Sequence, residues 1–264
     1  MSARLQDKIA IITGATSGIG EASARRFAEQ GATLVLAARS VEKGQALAAE
    51  LGGDTIFVAT DVSREADMAA LIDAAIERFG RVDCLFNNAG AGERSTAQTI
   101  TEADFDATMR LLAGSVAFGI KHAARVMTNG GSIINNASIA GHRLGQGGYL
   151  YSGAKAAVAH FTRMAGVELG PRGIRVNAIS PGAIATPIFW GGSARAATLS
   201  DAENQAKMDK LTANLAKATP QPLAGHADDI AHAAVFLASD ESAFINCHDL
   251  VVDGGRISMF NEAS

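Results

Sequence analysis

The strongest constraint on this fold is a repeated unit: a short, mostly apolar run followed by a stretch with helical spacing. Runs of this kind occupy residues 9–12, 33–37, 56–59, 84–86, 132–135, 175–179 and 250–252. They show no alternation of apolar and polar positions, so both faces must be covered. After the first run comes a helical stretch with Ala24, Phe27 and Ala28 on one face, closed by Gly31 as its C-terminal glycine. Residues 41–51 and 67–79 read as the next helices, the latter stopped by Gly80. A long helix precedes the fifth run, and another follows Tyr151. Apolar strands separated by helices imply a parallel sheet with helices on both faces. The expectation is an α/β chain, one doubly wound domain over residues 1–264, with no linker or repeat.

Residues 187–222 break the rhythm. Pro187-Ile188-Phe189-Trp190-Gly191-Gly192-Ser193 leads into a polar helical stretch and then Pro220-Gln221-Pro222. Ser200 and Glu203 have capping-box spacing, which predicts a helix start. An insertion between two strands that holds the only Trp reads as a lid over a site. Its Ile188, Phe189 and Trp190 suit an apolar, bulky or cyclic substrate.

Composition removes several classes of function. A chain of 264 residues, 48% of them hydrophobic, can bury one large core. No apolar run reaches the roughly 18 residues of a membrane span. Charges within the first eight residues leave no room for a signal-peptide apolar region. A net charge of −4 offers no basic face for nucleic acid. Cys84 and Cys247 both sit in apolar stretches and read as buried thiols, which fits a reducing, cytoplasmic setting. The six His are not spaced with Cys or carboxylates as metal ligands, so no catalytic metal is expected.

Thr13-Gly14-Ala15-Thr16-Ser17-Gly18-Ile19-Gly20 lies between the first strand and the first helix. The spacing is G-x-x-x-G-x-G. Such a loop can be a plain turn, or it can let a pyrophosphate approach N–H groups at a helix N-terminus, as in a Rossmann-type dinucleotide fold. Its place directly after the first strand favours the second. The second strand ends Leu36-Ala37-Ala38-Arg39-Ser40. A carboxylate at this point would bond a ribose 2′-hydroxyl and select NAD, whereas an arginine accommodates a 2′-phosphate. With Ala38 in place of an acid and Arg39 next, the reading is NADP(H) preferred, with NAD(H) possible. Asp61-Val62, after the third strand, would suit the adenine edge.

Tyr151-Ser152-Gly153-Ala154-Lys155 places Tyr and Lys four apart, on one helix face. A phenol near pKa ~10 is a poor base at neutral pH, but a neighbouring ammonium favours its ionised form. Ser138 ends a strand thirteen residues earlier and can hold a carbonyl oxygen beside the Tyr. Taken alone, the pair can also be an amphipathic coincidence.

Together these residues resemble the short-chain dehydrogenase/reductase family. The matches are residues 13–20, Asp61-Val62, Asn87-Asn88-Ala89-Gly90, Ser138, Tyr151 to Lys155, Arg175-Val176-Asn177, Pro181-Gly182 through Thr186, and Val252-Asp253-Gly254-Gly255, in family order. The resemblance implies Tyr151 as general acid/base, Ser138 as the substrate-orienting hydroxyl, and Lys155 on the nicotinamide ribose. It places the cofactor on Gly14, Thr16, Ser17, Gly18, Ile19, Gly20, Arg39, Ser40, Asp61, Val62, Asn88, Ala89, Gly90, Tyr151, Lys155, Pro181, Gly182, Ile184 and Thr186, with Asn87 supporting the sheet. It implies hydride transfer between a secondary alcohol or ketone and the nicotinamide, in a homotetramer.

Two positions depart from the family pattern. Leu112 stands where the family has an Asn that holds a relay water, leaving a backbone carbonyl or Ser115 to do so. Cys247 stands where a Gly is usual. The altered relay keeps a second reading open, a catalytically weak dinucleotide-binding regulatory protein. His142 and Arg143 follow Ser138 closely, and the plainer reading makes them ordinary loop residues.

Overall fold

The computed structural model describes residues 3–259, so the ends of the expected unit, 1–2 and 260–264, lie outside the described residues. Seven parallel strands form one sheet in the order β3-β2-β1-β4-β5-β6-β7. They are β1 (Ile9–Thr13), β2 (Thr33–Ala38), β3 (Ile56–Ala59), β4 (Cys84–Asn87), β5 (Gly131–Asn136), β6 (Ile174–Pro181) and β7 (Asp249–Val252). The helices between them are α1 (Gly18–Glu29), α2 (Val41–Leu51), α3 (Glu65–Phe79), α4 (Glu102–Met109), α5 (Ser115–Val126) and α6 (Tyr149–Leu169). After β6 come α7 (Gly192–Ala196), α8 (Asp201–Leu215) and α9 (Ala227–Ala238). The strand order reverses beside β1, which opens a crevice at the carboxyl ends of β1 and β4.

Alternate strand residues feed two separate cores. Ile12, Leu34, Leu36, Phe86 and Ile134 pack with Phe27 of α1, Leu47 of α2 and Ile230 of α9. Ile11, Val35, Leu85 and Ile133 point the other way, onto Met68 and Leu71 of α3, Ala123 of α5 and Leu169 of α6. This double covering is why the strands read as unbroken apolar runs.

Gln30 caps α1 and Gly31 follows it at φ +87°, as the C-terminal glycine the sequence predicts. Other boundaries differ from expectation. The expected long helix before β5 is interrupted: Arg110–Gly114 forms a π-helical turn between α4 and α5. The helix expected to follow Tyr151 instead begins at Tyr149, so Tyr151 lies in its first turn. In the 187–222 segment, Ser200 and Glu203 make both capping-box bonds, at 3.3 and 2.8 Å.

The cysteines also divide. Cys84 is buried, and burial pushes its thiol up to about 12. Cys247 is only partly buried, against expectation, because its backbone at φ +59° turns between β6 and β7, where its N–H donates to the Val176 carbonyl at 3.0 Å. Its Sγ lies on Gly166 of α6, 2.6 Å from where a Cβ there would stand. No helix among the described residues is long and apolar enough to cross a membrane.

Candidate active site

The carboxyl end of β1 runs directly into the glycine loop, which packs at Gly14 against Asn88 and Ala89, just beyond β4. A Cβ on Gly14 would stand 2.8 Å from Ala89 Cα, and one on Gly20 would stand 2.1 Å from the Gly14 carbonyl oxygen. Any side chain at either position would push the loop away from the crevice. Thr13 anchors the junction: its hydroxyl accepts from the N–H groups of Asn88 and Ala89 at 2.9 and 3.1 Å. Ser17 is the N-cap of α1 but makes no capping bond with its hydroxyl. Gly18, at φ +53°, faces Thr186 across the crevice.

Thr186 closes the far wall. It is buried, and its hydroxyl donates to the Ile184 carbonyl at 3.3 Å. Ile184 is buried and pairs with Gly225. Gly182 packs against Asp253, which brings the Asp253-Gly254-Gly255 turn behind the Pro181–Thr186 stretch. A cleft of about 570 Å³ lies between the glycine loop and the lid, lined by Thr16, Ser17, Gly18, Lys43, Trp190 and Asn204 among others. Trp190 therefore stands beside the glycine loop, while Ile188 and Phe189 are exposed. Lys43 was not singled out from the sequence. Its place in the first turn of the helix after β2 is the signal that could have found it.

At the other end of the crevice, Ala38 ends β2 and pairs with Ala59. Arg39 and Ser40 follow it, both exposed. Asp61 accepts from the Ser63 hydroxyl at 2.7 Å and the Ser63 N–H at 3.0 Å. Those bonds, with Arg39 nearby, hold its carboxyl below the usual range against the opposing effect of burial. Val62 is buried beside it.

Ser138, Tyr151 and Lys155 converge at the carboxyl end of β5. Ser138 is buried and caps a short 3-10 turn, its oxygen accepting from the Ala140 N–H at 3.1 Å. Lys155 is buried and donates to the Asn136 carbonyl at 2.6 Å. Its Nζ lies 5.7 Å from the Tyr151 ring centroid. Burial lowers the Lys155 ammonium to about 8. Burial raises the Tyr151 phenol above its ordinary value, and the neighbouring Ser138 hydroxyl only partly offsets this. The lowered phenol expected from Lys155 is thus not found in the chain by itself, because desolvation dominates. A neutral, partly buried phenol is a proton donor, the form needed to protonate a carbonyl oxygen as it gains charge.

Asparagines stitch this end of the sheet together. Asn87 donates to Asn135 at 2.9 Å, and Asn135 to the Thr162 hydroxyl at 2.9 Å. Asn136 donates to Asn88 Oδ1 at 2.8 Å, and Asn88 to the Thr13 carbonyl at 3.0 Å. That chain of donors fixes the Asn136 amide orientation and leaves its buried Oδ1 as an acceptor with no partner. Asn136 was also missed from sequence; a second polar residue ending an apolar strand was its signal.

Leu112 is buried in the π turn and packs with Ala113, Ala154 and Tyr151. A Cβ on Gly90 would sit 3.2 Å from its Cδ2, so Leu112 is an apolar plug behind the Asn88–Gly90 stretch. Ser115, the suggested holder of a water, donates instead to the Leu111 carbonyl at 2.5 Å. His142 bonds Asp249 Oδ2 at 2.8 Å, and Arg143 bonds the Arg256 carbonyl. Both fasten the turn after Ser138 to the C-terminal segment.

These features fit a nicotinamide dinucleotide. Glycines whose positions leave no room for a Cβ let the loop backbone lie close to a ligand, the start of α1 carries no side-chain cap, and the cleft beside Thr16, Ser17 and Gly18 has room for a pyrophosphate. Bound there, such a cofactor supplies or takes the hydride.

Comparisons with known proteins agree with this geometry. The family model described as Enoyl-(Acyl carrier protein) reductase matches residues 14–256. Momilactone A synthase of Oryza sativa subsp. japonica is 42% identical, over 98% of this chain and 93% of that protein. A (-)-isopiperitenol/(-)-carveol dehydrogenase, mitochondrial, of Mentha piperita is 39% identical, over 96% of this chain and 94% of that protein. The crystal structure of a dehydrogenase/reductase from Sinorhizobium meliloti 1021 superposes with a TM-score of 0.83 at 30% identity, covering 97% of both chains.

Proposed function

Since the chain belongs to the short-chain dehydrogenase/reductase family and is an oxidoreductase of that family, we propose that it interconverts a cyclic secondary alcohol and its ketone, with NADP(H) as the preferred cofactor. The observation that carries the reading is the convergence of Ser138, Tyr151 and Lys155 at the crevice that the glycine loop opens. Ser138 orients the carbonyl oxygen, Tyr151 gives or takes its proton, and the buried Lys155 ammonium favours the phenolate when the proton leaves. Carveol and isopiperitenol, named for the mint relative, are cyclic secondary alcohols, and the apolar Ile188 and Phe189 of the lid suit the same class.

The cofactor preference rests on Arg39 beside an acid-free strand end. Lys43, in the first turn of α2 and lining the cleft beside the glycine loop, adds positive charge. Kinetics with both cofactors on a panel of cyclic and aryl ketones test the proposal. Arg39→Ala raises the KM for NADPH far more than that for NADH. Ala38→Asp moves preference toward NADH by repelling the 2′-phosphate and bonding a free hydroxyl. A wild-type enzyme that prefers NADH contradicts the reading of the strand end. Cofactor binding without turnover of any ketone favours the regulatory alternative.

A further inference from the structure

The helix that carries Tyr151 begins without a cap of its own. Its N-cap is Gly148, which has no side chain, so the first N–H groups of α6 need acceptors from elsewhere. The loop after β4 supplies them. The Tyr149 N–H donates to the Ser95 carbonyl at 2.9 Å. The Tyr151 N–H donates to Glu93 Oε2 at 3.1 Å, and the neighbouring Leu150 N–H adds its pull on the same carboxylate. The Ser152 N–H returns to the Gly148 carbonyl at 3.0 Å, which completes the turn. Gly148 makes the approach possible: a Cβ there would stand 2.4 Å from the Glu93 carbonyl oxygen and 2.7 Å from Oε2.

The same loop touches the lid. Arg94 donates to the Phe189 carbonyl at 3.1 Å, and Gly92 lies against Ile188. Residues 92 to 95 thus meet the lid and the catalytic helix in turn. Burial raises the Glu93 carboxyl, but bonds from Ser95, Tyr151 and Leu150 outweigh it and leave the group below the usual range. Glu93 is therefore a carboxylate at neutral pH, suited to the positive end of a helix.

We propose that Glu93 is a positioning residue for proton transfer at Tyr151, and that Arg94 ties the lid to the same loop, so that one segment sets both the phenol and the cover over the substrate. This deepens the reading of Tyr151 as proton donor and rests on it. On α6, Glu93 bonds the backbone of the first turn, so its effect on chemistry comes through where that turn holds the phenol.

The test uses the full-length protein with NADPH and a cyclic ketone that the wild type reduces. Glu93→Ala lowers kcat by about 10- to 100-fold, the scale of a small misplacement of a reacting group, and leaves the KM for NADPH within about twofold. Glu93→Gln, which keeps an acceptor oxygen, falls between Glu93→Ala and wild type. Gly148→Ala keeps the carboxylate but displaces it, and lowers kcat in the same direction. Arg94→Ala acts mainly on the KM for the ketone, raising it several-fold. A cap that served stability alone would lower the melting temperature and leave kcat of the folded enzyme unchanged. That pattern in Glu93→Gln and Gly148→Ala overturns the proposal even where Glu93→Ala does not fold. Failure of the Tyr151 reading is separate, since it shows as turnover retained in Tyr151→Phe.

Discussion

Lys155 is the residue at which stability and chemistry pull in opposite directions. Its ammonium is buried with one fixed acceptor, the Asn136 carbonyl, and burial brings its pKa from 10.5 to about 8. A lysine depressed in the folded state binds fewer protons there than in the unfolded chain between those two values. The penalty is fully present below pH 8 and is relieved as pH rises toward 10.5. Lys155→Met is expected to abolish turnover yet raise stability at pH 7, by roughly 3 kcal/mol at most on the scale of 1.36 kcal/mol per unit. The loss of the bond to Asn136 reduces that gain. Chemical denaturation of both proteins at pH 7 and pH 10 checks this: the advantage of the variant should shrink at the higher pH. A variant less stable at both values would show that the ammonium is a net stabiliser. Tyr and Lys were legible in the sequence because their relation is local, four residues on one helix. The direction of the Tyr151 shift was not, because it depends on how much of the ring the fold buries.

At the scale of elements, the π turn between α4 and α5 is the least expected feature. A π turn inserts extra backbone into a helix and often lies at a functional site. Here it places Leu112 in a small apolar cluster with Ala113 and Ala154, against which Tyr151 packs. Leu112→Asn should therefore change kcat by less than about tenfold, or ~1.4 kcal/mol. It should also lose stability by about 1–3 kcal/mol, because the amide enters an apolar pocket. Melting temperature and kcat measured on the same preparation separate the two effects. A folded Leu112→Asn enzyme that gains several orders of magnitude in kcat would mean that the natural chain is catalytically crippled. The interruption itself could not be read from sequence: residues 102–126 have the spacing of one continuous helix, and Ser115 back-bonding to Leu111 shows only in three dimensions. The start of α6 is hidden in the sequence for a related reason. Gly148 gives no capping signal, and its replacement, Glu93, lies 58 residues before Tyr151.

For the whole molecule, the parallel sheet explains why a linear set of motifs makes one site. All seven strands end on the same edge, so loops from residues 14, 38, 88, 138 and 182 open onto a common crevice. The strand runs and their order along the chain were readable because each strand has an apolar centre without alternation. Contacts made across the molecule were not, among them Lys43 in the cleft, the Asn88–Asn136 bond and the His142–Asp249 pair. The central claim, however, concerns one oxygen atom. Tyr151→Phe removes the phenolic hydroxyl and keeps the ring that packs on Leu112. Cofactor binding, followed by fluorescence of the bound dinucleotide, should be unchanged. Oxidation of that cofactor by a ketone the wild type reduces should fall by about 10²-fold or more. Substantial turnover in a folded Tyr151→Phe enzyme would contradict the account.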